Sequence, residues 1–299
     1  MKDSLKIPKI FNLQFAPKHW SKLQTLRVML GAPLPTTRDA YEGLDICLHH
    51  QNKVTTFARL AQRVVPNLPK DREELDQTGA SRNEYATEFG VLIESMLCEM
   101  YSSLDGLGLF LCAVFPKARR LQHKSNERLF RLAKENQYSH DFPESVRLAM
   151  AKAYDDWFPR LRNMRRQITH RSGGFFHLDK ENKVVYFHGS LRQKPEIIDE
   201  VVGVVNGLEE KVRSFLEGIA EYFVLRLAPK PRLYPCGTYR ARIYMRMVAP
   251  APTLDVHSGH CASWNWFEKD PELFCPLAKE CGAYKRKWPG GDVAALAGT

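Results

Sequence analysis

The strongest constraint on this chain's fold is the stretch 83–115. There Phe89, Leu92, Ile93, Met96, Leu97, Met100, Leu104, Leu107 and Leu111 recur at helical spacing and give an apolar face too wide for a surface helix. A helix of that kind has to be surrounded by other elements, and Pro116 stops it. A second segment opens at Pro195 and carries Ile197, Ile198, Val201, Val205, Leu208, Val212, Phe215, Leu216, Ile219, Phe223 and Leu227, enough to pack against two neighbours. A third, 39–65, places Leu44, Leu48, Phe57, Leu60, Ala61 and Val64 at the same period and meets Pro66. Helices with such faces bury them only against one another, so the fold class expected is mostly α.

Between these long segments the pattern is weaker. Residues 66–82 read as a charged connector, and 117–142 as a basic stretch with one short helix near 125–135. Asp141-Phe142-Pro143-Glu144 is a helix start, with a break expected at 156–159 before Pro159. Phe175 to Leu178 and Lys183 to Phe187, joined through Asp179-Lys180-Glu181-Asn182, form a β-hairpin. Pro229 and Pro231 mark a boundary. The expected organisation is an N-terminal arm over 1–37 with a short helix near 19–30, a helical bundle over 38–228 interrupted by the hairpin, and a small α+β module rich in Cys and His over 229–299.

The 299 residues are 44% hydrophobic, ample for a core, which argues against wholesale disorder. Lys and Arg number 44 against 34 Asp and Glu, an excess that suits a polyanionic partner such as nucleic acid. The start, Met1-Lys2-Asp3-Ser4-Leu5-Lys6-Ile7-Pro8, lacks the apolar core of a signal peptide, and no apolar run reads as long enough to cross a bilayer. With seven Cys, an odd number, a reducing cytoplasm is expected, the thiols free or bound to metal. Cys47, Cys98 and Cys112 fall in apolar helical patterns as small core residues.

Chemistry concentrates at Leu161-Arg162-Asn163-Met164-Arg165-Arg166-Gln167-Ile168-Thr169-His170-Arg171-Ser172-Gly173-Gly174. On a helical wheel Trp157, Leu161, Met164 and Ile168 form an apolar stripe, while Arg162, Asn163, Arg165, Arg166, Gln167, Thr169 and His170 fill the opposite arc. A solvated basic face ending in a histidine is one reading, since a cation suits a helix C-terminus. An anion site is the other: an imidazole moves protons near neutral pH, and a guanidinium holds the extra charge of a phosphoryl transition state.

Arg165-Arg166-Gln167-Ile168-Thr169-His170 resembles the signature of the HEPN superfamily, in which an arginine and a histidine are separated by four to six residues late in a helical bundle. The order of elements around it, over roughly 83–228, is similar as well. The resemblance implies a HEPN-like bundle and metal-independent RNA cleavage, the ribose 2′-OH attacking the adjacent phosphorus to leave a 2′,3′-cyclic phosphate and a 5′-OH. It assigns Arg165 to the phosphorane and His170 to proton transfer, with Arg162, Asn163, Arg166 and Gln167 supporting, and needs no cofactor. It further implies a homodimer with two motifs along one groove, and a toxin or defence effector with a neutralising partner protein. The position after the arginine is commonly small and polar in that superfamily; here it is Arg166. An ideal helix sets Arg165 and His170 about 140° apart and makes Arg166 the neighbour of His170. Which arginine acts is therefore open, and a non-catalytic nucleic-acid or protein-docking surface is the alternative.

The C-terminal module offers two further groups. Tyr239 to Val248 alternates, so a half-buried strand would present Arg240, Arg242, Tyr244 and Arg246 on a basic outer face for nucleic acid, with Arg171 adding charge nearby; the same alternation fits a sheet edge kept soluble by arginines. His257, His260, Cys261, Cys275 and Cys281 are the residue types a structural zinc takes, with Cys236 available to complete a set, and a zinc-stabilised DNA-binding protein is the corresponding function. Trp264, Trp266, Phe267, Phe274 and Trp288 are read as a mini-core around that metal. Cys275-Pro276 to Cys281 also resembles the end of an iron–sulfur loop in the endonuclease III family, but Glu272 stands where a cysteine is required.

Overall fold

A computed structural model describes residues 19–121, 125–170, 174–179, 183–188, 196–239, 242–251 and 253–289. The protein is mostly helical with small antiparallel sheets. Its contacts divide it into two units, one of residues 35–219 and one of residues 1–34 with 220–299.

The larger unit is organised by two long helices, α2 (Arg38–Val64) and α4 (Glu84–Val114), which pack along much of their lengths. Their backbones come close at Gly43 and Gly106, where a side chain on either would strike the other helix. Phe89, Ile93, Met96, Leu97, Met100, Leu104, Phe110 and Leu111 of α4 are buried, as the wide apolar face requires. Contrary to expectation, α4 is long and apolar enough to cross a membrane. Burial of that face inside the fold is how the core helix of a packed bundle reads.

Residues 66–82 are not a plain connector. A 3-10 turn (Val65–Asn67) leads into α3 (Leu68–Thr78), which ends on Gly79 in the left-handed conformation. Asp71 of α3 accepts from the backbone N–H of Tyr85 (3.3 Å) and Ala86 (2.7 Å), capping α4, whose own N-cap residue Asn83 makes no such bond. Helices α5 (Asn126–Lys134) and α6 (Glu144–Asp155) follow. The chain then breaks at Asp156-Trp157 and enters α7 (Phe158–His170) with Pro159 in its first turn.

Aromatic packing fixes α7. Phe158 is fully buried and stacks on Phe130 of α5, centroids 4.3 Å apart, and Trp157 meets Phe215 edge-on at 5.7 Å. Beyond α7 comes a sheet of three antiparallel strands in the order β2-β3-β4, with β2 at Phe175–Leu178, β3 at Val184–His188 and β4 at Glu196–Ile198. The hairpin gains a third strand where the opening of the last long helix was expected; that helix, α8 (Val201–Val224), starts later.

In the smaller unit, β1 (His19–Trp20) leads into α1 (Lys22–Met29), whose N-terminus is closed by a Ser21–Gln24 capping box. Leu23, Leu26, Met29 and Leu30 are buried, and Trp20 packs on Tyr234. A second sheet runs β5-β6-β8, from β5 (Arg232–Tyr239), β6 (Arg242–Val248) and β8 (His260–Cys261), while β7 (Leu254–Asp255) pairs with β1. Short helices α9 (Trp264–Phe267) and α10 (Gly282–Lys285) complete the module. The β5–β6 register shifts between Pro235 and Gly237, which puts a bulge at Cys236.

Candidate functional site

The Arg/His cluster lies on one regular helix. Leu161 and Met164 are buried with Phe158, so the predicted stripe anchors α7, while Ile168 is half-buried. On α4 Tyr101 meets it, stacking on Phe158, with Cys98 one turn earlier on the same helical face.

The cations of α7 differ in what they touch. Arg162 reaches back to α5, where its Nη1 donates to Glu127 Oε1 at 2.6 Å, and its Nη2 donates to Asn163 Oδ1 at 3.2 Å. Its charge is therefore largely answered within the fold. Arg165 places its guanidinium over the Tyr101 ring, 5.1 Å from the centroid, a cation–π contact that holds it against α4. Burial pushes the Tyr101 hydroxyl up, as does the charge of Asp105, while Arg165 pulls it down. Burial likewise pushes up the Cys98 thiol, again with Arg165 opposing. Beneath this layer the buried Asn126 donates from Nδ2 to Asp105 Oδ1 (2.8 Å) and to the Tyr101 carbonyl (3.3 Å), tying α5 to α4.

Arg166, Asn163, Thr169 and His170 are exposed, and Gln167 is half-buried. Helix α7 stays regular through His170, so Arg165 and His170 point along arcs about 140° apart, and Arg166 lies one turn below the ring. Arg171 lies outside the described residues. After the helix, the Gly174 N–H donates to Glu94 Oε1 at 2.6 Å, which ties the entry of β2 to α4.

In the C-terminal module the expected basic face is turned around. Tyr244 and Arg246 are each 3% exposed, whereas Ile243 on the opposite side of β6 is 59% exposed. Arg246 is taken inward because its Nη1 donates to the Val256 (2.8 Å) and Ser258 (3.0 Å) carbonyls of the loop before β8. Those two residues are thus removed from any nucleic-acid surface. Arg242 is exposed, and Arg240 lies outside the described residues.

The expected zinc ligands also separate. His257 Nδ1 accepts from the Gly282 N–H at 3.2 Å, and the His260 ring packs on Trp288. Cys236, Cys261, Cys275 and Cys281 instead line one small cavity with Tyr244 and Arg246. Burial pushes Cys261 up to about 12 and Cys275 up to about 11, the other thiols of the group adding to both. Among the described residues, no group of three or more His, Cys, Asp or Glu is arranged, as placed, to hold a metal ion.

Sequence reasoning gave no weight to Tyr101 and Glu127, the partners that set the roles of Arg165 and Arg162. Neither carries a local signal, because each stands far from α7 in sequence. No family model, no curated protein and no solved structure matches this chain.

Proposed function

We propose that the helical unit is a HEPN-like bundle acting as a metal-independent endoribonuclease in a reducing cytoplasm, through the outer face of α7. One observation carries the reading. A guanidinium already positioned by Tyr101 and a solvent-exposed imidazole stand at either end of one helical stretch. That is the pair of capacities phosphodiester cleavage without a metal requires.

In this chemistry the ribose 2′-oxygen forms a bond to phosphorus as the bond to the 5′-oxygen breaks. His170 takes the 2′-OH proton or supplies one to the leaving oxygen, and arginine holds the phosphorane charge. Because Arg165 and His170 diverge around the helix, Arg166 shares the arginine role, and a second copy of the chain facing α7 closes the groove.

The test is cleavage of single-stranded RNA in EDTA, with the ends analysed for 2′,3′-cyclic phosphate. His170→Ala should slow cutting by about 10²-fold or more while keeping the helical spectrum of the parent. If His170→Ala cuts as fast as wild type, the assignment is wrong.

The regularity of α7 through His170 favours a second reading, a docking surface for RNA that does not cut. It predicts no cleavage by either protein, but binding that falls steeply with salt and weakens on Arg166→Glu.

A further inference from the structure

The cavity in the C-terminal module is independent of α7. Cys236, Cys261, Cys275 and Cys281 come from β5, from β8, from the loop after the Pro271–Leu273 turn and from the residue before α10, and they meet around about 20 Å³ of space. That volume admits a single water-sized occupant. Local structure turns the thiols toward it. The bulge at Cys236 takes that residue out of the strand register, and its Sγ donates to the Tyr244 carbonyl at 3.3 Å. The turns over 276–280 bring Cys281 back beside Cys275.

A second observation points to an occupant of particular charge. Arg246 borders the same cavity and is almost wholly buried. Its Nη1 donors end on neutral backbone carbonyls, and its Nε is buried with no hydrogen-bond partner. Its remaining side-chain partner is the Cys236 thiol, which Arg246 pulls toward the charged form. A buried cation held by neutral carbonyls and a thiol has given up its hydration without gaining a full counter-charge, which is costly. A divalent metal bound by four thiolates is an overall dianion, and at this place it would answer that guanidinium. Soft sulfur ligands in a tetrahedral set select zinc or an iron–sulfur centre, and a one-atom space excludes a multi-iron cluster.

We propose that Cys236, Cys261, Cys275 and Cys281 bind one structural zinc ion, with Arg246 as its buried counter-charge and neither His257 nor His260 as a ligand. As placed, the sulfurs line the cavity wall rather than converge on its centre. Rotation about their Cα–Cβ bonds is what ion binding would require of them. The ion then fastens β5, β8 and the loop carrying α10, in a module with a small apolar core.

The experiment uses the full chain expressed with zinc in the medium. Native mass spectrometry should find one zinc per chain, and cobalt exchanged into the protein should give the visible spectrum of a tetrahedral thiolate site. Alkylation under native conditions, read by peptide mapping, should spare Cys236, Cys261, Cys275 and Cys281 until a chelator is added. His257→Ala, His260→Ala and Cys112→Ser of α4 should keep the metal, whereas Cys275→Ser and Cys281→Ser should lose it. Should those two serine variants fail to fold, the wild-type cobalt spectrum and alkylation map decide alone. A zinc-free wild type, a pair of disulfides among the four cysteines, bound iron with sulfide, or loss of metal in His260→Ala would each overturn the proposal.

Discussion

The close approach of α2 and α4 at Gly43 and Gly106 makes a prediction whose sign is decided by magnitude. A Cβ on Gly43 would stand 2.6 Å from Phe110 N, 2.7 Å from the Gly106 carbonyl oxygen and 2.9 Å from Phe110 Cα, and one on Gly106 would stand 2.6 Å from the Gly43 carbonyl oxygen. All of these are backbone atoms, which cannot swing aside as a side-chain tip does. Gly43→Ala gains about 1 kcal/mol of helix propensity. Against that, relief of the clash requires two helices to part along a shared face, and overpacking of this kind costs about 1–3 kcal/mol and sometimes more. The expected net effect is a loss of up to about 2 kcal/mol, measured as a lower urea midpoint at unchanged slope. Gly218→Ala in α8 is the control: nothing stands within 4 Å of its Cβ, so it should gain up to about 1 kcal/mol. If Gly43→Ala stabilises the protein as Gly218→Ala does, the close approach of α2 and α4 is not real.

Two further outcomes follow from single side chains. Asp71→Ala leaves the Tyr85 and Ala86 N–H groups at the start of α4 without their acceptor, and should cost about 1–2 kcal/mol by the same urea measurement; an unchanged midpoint would show that α4 is capped in some other way. Glu99 of α4 is held below the ordinary carboxylate range: burial works against its charge, but hydrogen bonds from His50 and Lys53 prevail. A carboxylate lowered in the folded state adds stability above its unfolded value of about 4.3 and loses it as pH falls through the folded one. Urea midpoints from about pH 6 to 3 should therefore fall less steeply in Glu99→Gln than in wild type, and parallel curves would refute the coupling.

The parts of the fold legible in sequence are those whose information is local and repeated. Helices α2, α4 and α7 stand close to where apolar periodicity and proline put them, because a wide buried face leaves a long trace. Helix α3 was invisible for the opposite reason: only Leu68 of it is buried, and its place is fixed by the Asp71 cap and the left-handed Gly79 instead of an apolar stripe. Strand β6 shows a subtler failure. Its alternation is readable, but not which side faces in, since charge in a sequence ordinarily marks the solvent side. Two carbonyls in a loop ten and twelve residues away reverse that inference by accepting from Arg246.

The same lesson bears on α7. Sequence counts cations, whereas folding decides which of them remain for a ligand. Arg162 is answered by Glu127, and Arg165 is laid against Tyr101, so both are partly committed before any polyanion arrives. Arg166 and His170 are exposed and one turn apart. A phosphate approaching this helix from solvent therefore meets Arg166 and His170 first, and reaches Arg165 only by coming around toward α4. On a single chain, then, Arg166→Ala should weaken RNA contact more than Arg165→Ala. The reverse order would mean that the nucleic acid lies along the seam between α7 and α4, where Arg165 rests on Tyr101, and would refute a contact made through the outer face of α7.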